Sequence, residues 1–391
     1  MSNIVTDFNS LYVAYRKTRR QKWHSPTALR YGLNALENTV SVGRSLDART
    51  FRPSPTYTFR VYEPKERIVI ANSFVDKVVQ HSLCDNAMQP CFTPSFVRDN
   101  YASQVGKGTH DALDRLEGFM RHYYFSRKAA ADKARREQGL APLPAHEGGY
   151  HKGYVLKGDF SKYFYSILHE PLKEMARKKF RKRLPDADVA EFCDWLLCLF
   201  IDMTPDPGLP IGFQTSQLLA LLNLDGLDHL VKDELGAKFY GRYMDDFYII
   251  HEDKHQLEAW LARIEEFIEP LGLRLNQKTQ IFPLAQGLDF LGFHSYLTPT
   301  GKVIRKIRDD SKNNMRRRLK KYRRLVDERR MTLRQVKASY DSWKGHASHG
   351  NTHRLVQNTD ALFYALFPEL KPQQKGADAN VKENEHSDRG Q

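Results

Sequence analysis

Two adjacent carboxylates, Asp245 and Asp246, interrupt a stretch of this 391-residue chain that otherwise has the marks of buried β-structure. They stand in Tyr243-Met244-Asp245-Asp246, between Gly241-Arg242 and the apolar run Phe247-Tyr248-Ile249-Ile250. Aromatic and β-branched residues at that density read as a hairpin packed into a core. Burying one unpaired carboxylate costs several kcal/mol, and two neighbours repel each other. The segment therefore either lies beside a hard cation or turns its acids out into solvent. The tetrad alone does not choose between these.

A third carboxylate bears on the choice. The stretch 154–167 (Tyr-Val-Leu-Lys-Gly-Asp-Phe-Ser-Lys-Tyr-Phe-Tyr-Ser-Ile) begins as a strand and places Asp159 near its end. Paired strands run about 4.8 Å apart, so pairing with the 239–250 hairpin lets Asp159 face Asp245 across a metal site. Successive strand residues point to opposite faces, which makes Asp245 and Asp246 unequal. Asp159 and Asp245 are the expected principal ligands and Asp246 a weaker one. Magnesium takes one or two carboxylates together with substrate phosphates, and paired ions can assist both the attacking and the leaving oxygen. That chemistry is phosphoryl transfer.

With these segments in place the chain resembles reverse transcriptases, in order from about residue 56 to residue 350. The stretch 157–167 is similar to their first catalytic motif and residues 243–246 to their second. Between them, 208–217 (Gly-Leu-Pro-Ile-Gly-Phe-Gln-Thr-Ser-Gln) resembles the segment that lies beneath the templating base and the incoming nucleotide. Leu275-Asn276-Gln277-Lys278-Thr279 resembles the motif whose lysine approaches the leaving pyrophosphate, and Phe290-Leu291-Gly292-Phe293 the hairpin that grips the primer end. The resemblance implies an α+β right-hand polymerase with fingers, a palm built on an antiparallel sheet, and a helical thumb. It implies a nucleotidyltransferase that copies RNA into cDNA from a primer, using deoxynucleoside triphosphates and Mg2+, with Mn2+ as an alternative.

Several residue roles follow from the same resemblance. Asp159, Asp245, Asp246 and Phe160 are the implied metal positions, and Lys278 joins the three acids as catalytic; read alone, a lysine after the amphipathic stretch 257–275 is simply solvated. Gly212, with Gly208 and Pro210, allows close approach to a base pair, while Ser216 and Gln217 can hydrogen-bond a template strand. Without the family, this stretch is only a turn. Phe164 sits where related enzymes place a ring against the nucleotide sugar, leaving no room for a 2′-hydroxyl; Phe160 is a further substrate contact. Core packing by Tyr163, Phe164 and Tyr165 is the alternative. The stretch 59–70 alternates as a hairpin with a cationic tip, so Lys65 and Arg67 are expected at the triphosphate, Arg67 the better suited because arginine can engage phosphate with two parallel bonds. An exposed turn would carry similar charges. Arg98 to Asn100 and the run 106–111 resemble the next fingers motif.

The formal net charge of +14 is concentrated: residues 301–345 hold 17 Lys and Arg against 5 Asp and Glu. Helical character runs through 315–330 and again through 331–343, with few apolar positions. Such density is unfavourable unless phosphates neutralise it, which fits a lobe gripping the primer–template backbone; a solvated charged helix is the other reading. The expected organisation is a basic N-terminal extension at 1–55, fingers at 56–150 with a helical hairpin or mobile insertion near 127–149, palm at 151–300, thumb at 301–368 and a disordered tail at 369–391. Cys84, Cys91, Cys193 and Cys198 lack CxxC spacing and the fifteen histidines lack a zinc pattern, so neither disulfides nor zinc are expected. No apolar run approaches a membrane span and the first residues lack a secretory pattern, pointing to a cytoplasmic protein without membrane contact.

Ile211 and Gln217, in Ile-Gly-x-x-x-Ser-Gln, depart from the Gln-Gly-x-x-x-Ser-Pro version of retroviral and group II intron enzymes. The variant resembles diversity-generating retroelement enzymes, which vary a target gene by error-prone copying of a template RNA. Defence-associated bacterial reverse transcriptases, with an antiviral role, are the alternative, and a non-catalytic RNA-binding maturase-like factor is a third. The chain after the thumb is too short for an endonuclease or RNase H domain. A structured non-coding RNA and an accessory protein are expected partners.

Overall fold

The computed structural model of the protein describes residues 4–20, 22, 24–62 and 66–371. Lys65 and the tail from 372 onward, within the segment expected to be disordered, lie outside the described residues. The chain divides into two compact units, one comprising 1–287 with 297–303, the other 288–296 with 304–391.

The first unit is organised by an antiparallel sheet. Its strands are β3 (Tyr154–Asp159), β4 (Phe239–Tyr243), β5 (Asp246–His251) and β6 (Gln280–Pro283), in the order β4-β5-β3-β6. The central pair buries both faces along Phe247, Tyr248, Ile249 and Ile250 on β5 and Val155 and Leu156 on β3. Helix Lys254–Ile268 buries Leu257, Trp260, Ile264 and Ile268, one stripe at helical spacing, and packs against β3, β5 and β6. Helix Thr109–Glu137 covers β4, where Phe119 and Tyr123 each meet the Phe239 ring edge-on at 5.7 Å. Gly158 is required in β3 because the ring of its cross-strand partner Phe247 lies over it: a Cβ there would fall 2.2 Å from Cζ.

Ahead of this sheet, β1 (Tyr57–Val61) and β2 (Arg67–Ala71) form the expected antiparallel hairpin. Helices Phe8–Arg19 and Pro26–Leu33 pack on helix Phe74–Leu83 and helix Ala35–Asp47 on those two, with Tyr15, Tyr31 and Phe74 in mutual ring contact. The 127–149 insertion is not a helical hairpin. Residues to Glu137 simply extend the preceding helix, and 138–149, containing Gly139, Pro142, Pro144, Gly148 and Gly149, return without a second one. Cys84, Cys91 and Cys193 are buried and all four cysteines are free. Among the described residues no helix is long and apolar enough to cross a membrane.

A further sheet lies in the second unit except for its end residues Leu297 and Val303: β7 (Leu288–Phe290) and β8 (Phe293–Leu297) turn through Leu291 and Gly292, both at positive φ (48° and 89°), and β9 (Val303–Ile307) pairs beyond β8. Three helices follow: Asp309–Asp327, Leu333–Ala347 and His353–Leu366. The second starts in a capping box, Thr332 with Gln335. Their core is small, formed by Met315, Leu319, Val336, Tyr340, Phe363 and Phe367, with Tyr340 and Phe363 stacked at 4.2 Å. Helix Asp309–Asp327 leaves Arg316, Arg317, Arg318, Lys320, Lys321 and Arg324 in solvent.

Gly158→Ala should destabilise the first unit by about 1–3 kcal/mol, the usual cost of overpacking. A companion Phe247→Leu should recover part of the loss in thermal melting. An unchanged melting temperature for Gly158→Ala alone would contradict this packing.

Candidate active site

The carboxylates are brought together by a turn and a register. β4 and β5 pair Tyr243 with Asp246, so Met244 and Asp245 are the two turn residues. Met244 has φ 57°, a conformation that costs a non-glycine residue of order 1–3 kcal/mol and persists only where its surroundings impose it. Across the sheet Asp159 pairs with Asp246. Directly opposed residues of antiparallel strands share a face, so Asp246, rather than Asp245, lies opposite Asp159. Asp245 stands outside the ladder, in the two-residue turn next to Asp246.

Lys157 precedes Asp159 by two positions and shares its face, with Nζ 3.5 Å from Asp246 Oδ2. The other oxygen of Asp246, Oδ1, is sealed from solvent and has no hydrogen-bond partner. Burial pushes the Asp246 carboxyl up to about 6; the Lys157 ammonium opposes this, while Asp159 and Asp245 add to it. An all-oxygen donor set with an unsatisfied buried oxygen fits a hard divalent cation. Among the described residues no three acidic, histidine or cysteine side chains converge as tightly as a complete metal cage requires. Mg2+ in nucleotide sites takes only one or two carboxylates and completes its shell with phosphates and water.

The 275–279 segment is tied to the same aspartate. The Asn276 backbone N–H donates to the Asp159 carbonyl at 2.7 Å, and Asn276 Nδ2 lies 3.4 Å from Asp159 Oδ2. Lys278 is exposed, its N–H donating to Asn276 Oδ1 at 3.1 Å. Phe160 bridges to Leu275, and its ring is core, 2% exposed between Tyr163 and Phe247. Any contact from Phe160 to a ligand falls to its backbone.

The glycine-rich stretch docks on two neighbours. The Gly208 and Leu209 N–H groups donate to the carbonyls of Ile167 and Phe164 at 3.0 and 2.7 Å, and the Ile70 N–H on β2 donates to the Ile211 carbonyl at 2.9 Å. Gly212, at φ 120°, lies so close to β2 that a Cβ would approach the Ile70 carbonyl oxygen to 2.6 Å. This stretch thus links the hairpin bearing Arg67, which is exposed at the start of β2, to Phe164, which is half-buried edge-on to Tyr163. Ser216 lies on helix Gln214–Asn223, 1% exposed with an unpartnered hydroxyl, and the half-exposed Gln217 accepts from Ser103 at 3.3 Å. Arg98 forms two parallel 3.0 Å bonds with Asp111, while Asn100 is buried.

Sequence reasoning did not single out Lys157, Asn276, Arg242 or Asp228 as parts of the site. Lys157 and Asn276 stood inside the quoted motifs, and alternation from Asp159 could have flagged the lysine. Arg242 carried a signal too, a cation inside an apolar strand. Asp228, on a helix fourteen positions upstream, carried none.

A family model described as reverse transcriptase (RNA-dependent DNA polymerase) matches residues 65–295. No curated protein matches. Solved structures that do include apo telomerase from Candida tropicalis truncated from its C-terminal domain, at 14% identity and TM-score 0.46, over 69% of this chain and 60% of that one. Telomerase from Candida albicans in complex with a TWJ fragment of telomeric RNA matches at 11% identity and TM-score 0.46, over 83% and 58%. The untruncated Candida tropicalis apo enzyme matches at 12% and 0.46, over 85% and 64%. The chain thus spans about three fifths of the length of these telomerases. Since the family model covers more than half of its residues, the chain belongs to the reverse transcriptase family.

Proposed function

We propose that this chain is an RNA-directed DNA polymerase, a nucleotidyltransferase that extends a primer with deoxynucleotides along an RNA template. The observation that carries this reading is the register that sets Asp159 on β3 opposite Asp246 on β5, with Asp245 in the adjoining β4–β5 turn and the Lys278 segment hooked onto Asp159. In this reading 56–150 are fingers, 151–300 palm and 301–368 thumb. Asp159 and Asp245, with Asp246 and the Phe160 backbone in support, would hold Mg2+ or Mn2+. Two such ions, when bound, lower the pKa of the primer 3′-hydroxyl and neutralise charge on the departing pyrophosphate.

The remaining roles belong to the chain's own groups. Arg67, with Lys65, grips the triphosphate, and Lys278 meets the pyrophosphate from the solvent side. Phe164 packs against the sugar and excludes a 2′-hydroxyl. Gly212 lets the backbone lie against the nascent base pair, and Gln217 contacts the template, whereas buried Ser216 acts from beneath that surface. The exposed cations of helix Asp309–Asp327 bind the duplex backbone without reading sequence. Ile211 and Gln217 support a diversity-generating retroelement as the setting; a cytoplasmic location and a structured RNA and accessory protein as partners complete the reading.

Purified protein should extend a DNA primer on RNA in Mg2+. Asp245→Asn should lower incorporation by about 100- to 1,000-fold or more while primer–template binding persists; retained synthesis would reject the assignment of this acid. Phe164→Ala should erode discrimination against ribonucleotides by about 10- to 200-fold, the worth of one steric contact. Equal sugar selectivity in variant and parent would refute the gate. Replacing Arg316, Arg317, Lys320 and Lys321 with Gln should shallow the salt dependence of duplex binding by about 0.9 in log–log slope for each phosphate no longer neutralised. A slope identical to that of the parent would remove this helix from the duplex interface.

A further inference from the structure

Directly behind the tetrad lies a fully buried ion pair that the polymerase roles above do not use. Arg242 and Asp228 are both 0% exposed. Arg242 Nε donates to Asp228 Oδ1 at 2.7 Å and Nη2 to Oδ2 at 2.6 Å, leaving Nη1 to donate to the Met244 carbonyl at 2.7 Å. Asp228 is fixed in turn by the Tyr240 hydroxyl and by Asn100 Nδ2 at 3.3 Å. The backbone of Arg242 is clamped as well: its N–H donates to the Asp99 carbonyl at 2.9 Å and its carbonyl accepts from the Tyr101 N–H at 3.1 Å.

A buried arginine–carboxylate pair is a poor device for stability alone, since an apolar pair of similar volume often does as well. What an apolar pair cannot supply is the third bond. It ends on Met244, the residue whose left-handed backbone forms the turn, one position before Asp245 and two before Asp246. Only a planar guanidinium chelated by Asp228 presents the remaining N–H in a fixed direction.

We propose that Arg242 is a positioning residue: held by Asp228, it fixes the Met244 carbonyl and thereby sets the orientation in which the turn presents Asp245 and Asp246 for nucleotidyl transfer. This rests on the polymerase reading of the site. Its effect falls on kcat and on the affinity of the acids for divalent metal, and leaves primer–template binding untouched. Groups that orient metal ligands in this way are worth about 10- to 100-fold in metal affinity or activity.

The test compares the parent with Arg242→Lys and with the double variant Arg242→Met/Asp228→Leu, which removes both buried charges together. Three quantities are measured on the full chain: melting temperature, Mn2+ affinity in the absence of nucleotide, and single-nucleotide kcat and KM on an RNA template. The double variant is expected to remain folded, to bind Mn2+ about 10- to 100-fold more weakly and to lose kcat by a similar factor, with primer–template Kd within about twofold of the parent. Arg242→Lys, which cannot chelate Asp228 and reach Met244 together, should show the same pattern. Parental Mn2+ affinity and kcat in a folded variant overturn the proposal. Should the double variant not fold, Arg242→Lys decides alone by the same two readouts. Absence of synthesis by the parent would sink the polymerase reading itself, while Mn2+ affinity still reports whether Arg242 orients the acids.

Discussion

Everything at this site depends on the antiparallel pairing of β3 with β5. That ladder sets Asp159 opposite Asp246 inside a sheet whose neighbouring positions are Phe247, Tyr248, Ile249 and Ile250. Carboxylates at the edge of so apolar a layer are poorly solvated, and the protein offsets this only in part, with Lys157 beside one oxygen of Asp246 and no hydrogen-bond donor on the other. The raised pKa of Asp246 and its unsatisfied oxygen have the same cause. A site so short of positive charge is suited to a cation that arrives with its phosphates.

The sheet also serves as an anchor for segments distant in sequence, and the anchoring is done by backbone. The 275–279 segment closes on the Asp159 carbonyl, the 208–217 stretch closes on Phe164 and Ile167, and β2 closes on Ile211. Backbone bonds place the chain without consuming side chains, which leaves Arg67, Lys278 and Gln217 directed at least partly to solvent. Gly212 shows the steric side of this economy, because only a missing Cβ lets the stretch lie on β2. Behind the turn the logic is reversed: Arg242 and Asp228 commit full side-chain charge in the interior to hold a single carbonyl.

Much of this was legible beforehand, for local reasons. The tetrad, the strand ending at Asp159 and the 59–70 hairpin follow from patterns of a few residues, the Leu291-Gly292 turn from the resemblance, and each is present in the fold. Motif order identified the family that the match over 65–295 shows. Less legible was the 127–149 insertion, where the composition left a helical hairpin and a mobile insertion both open and the chain formed one extended helix and an irregular return. Alanine, arginine and lysine favour helix without saying where it stops, whereas the glycines and prolines beyond Glu137 do. The pairing of Arg98 with Asp111 was not legible either, because opposite charges thirteen positions apart have no visible relation until a loop folds them together.

The sequence by itself determined which residues could carry chemistry here: three acids, a lysine, an aromatic and a glycine-rich turn, in a definite order, with a cationic helical segment after them. The acids and the charge run are local properties of side-chain type and short-range periodicity, whereas the lysine, the aromatic and the glycine-rich turn draw their expected roles from the resemblance of motif order to reverse transcriptases. Only the tertiary structure decided that Asp246 rather than Asp245 stands across from Asp159, that Asn276 holds that aspartate, and that Asp228 is the counter-charge of Arg242. Those are matters of strand register and of contacts between residues far apart in the chain, and a shift of one position in the ladder would have exchanged the facing residues throughout it.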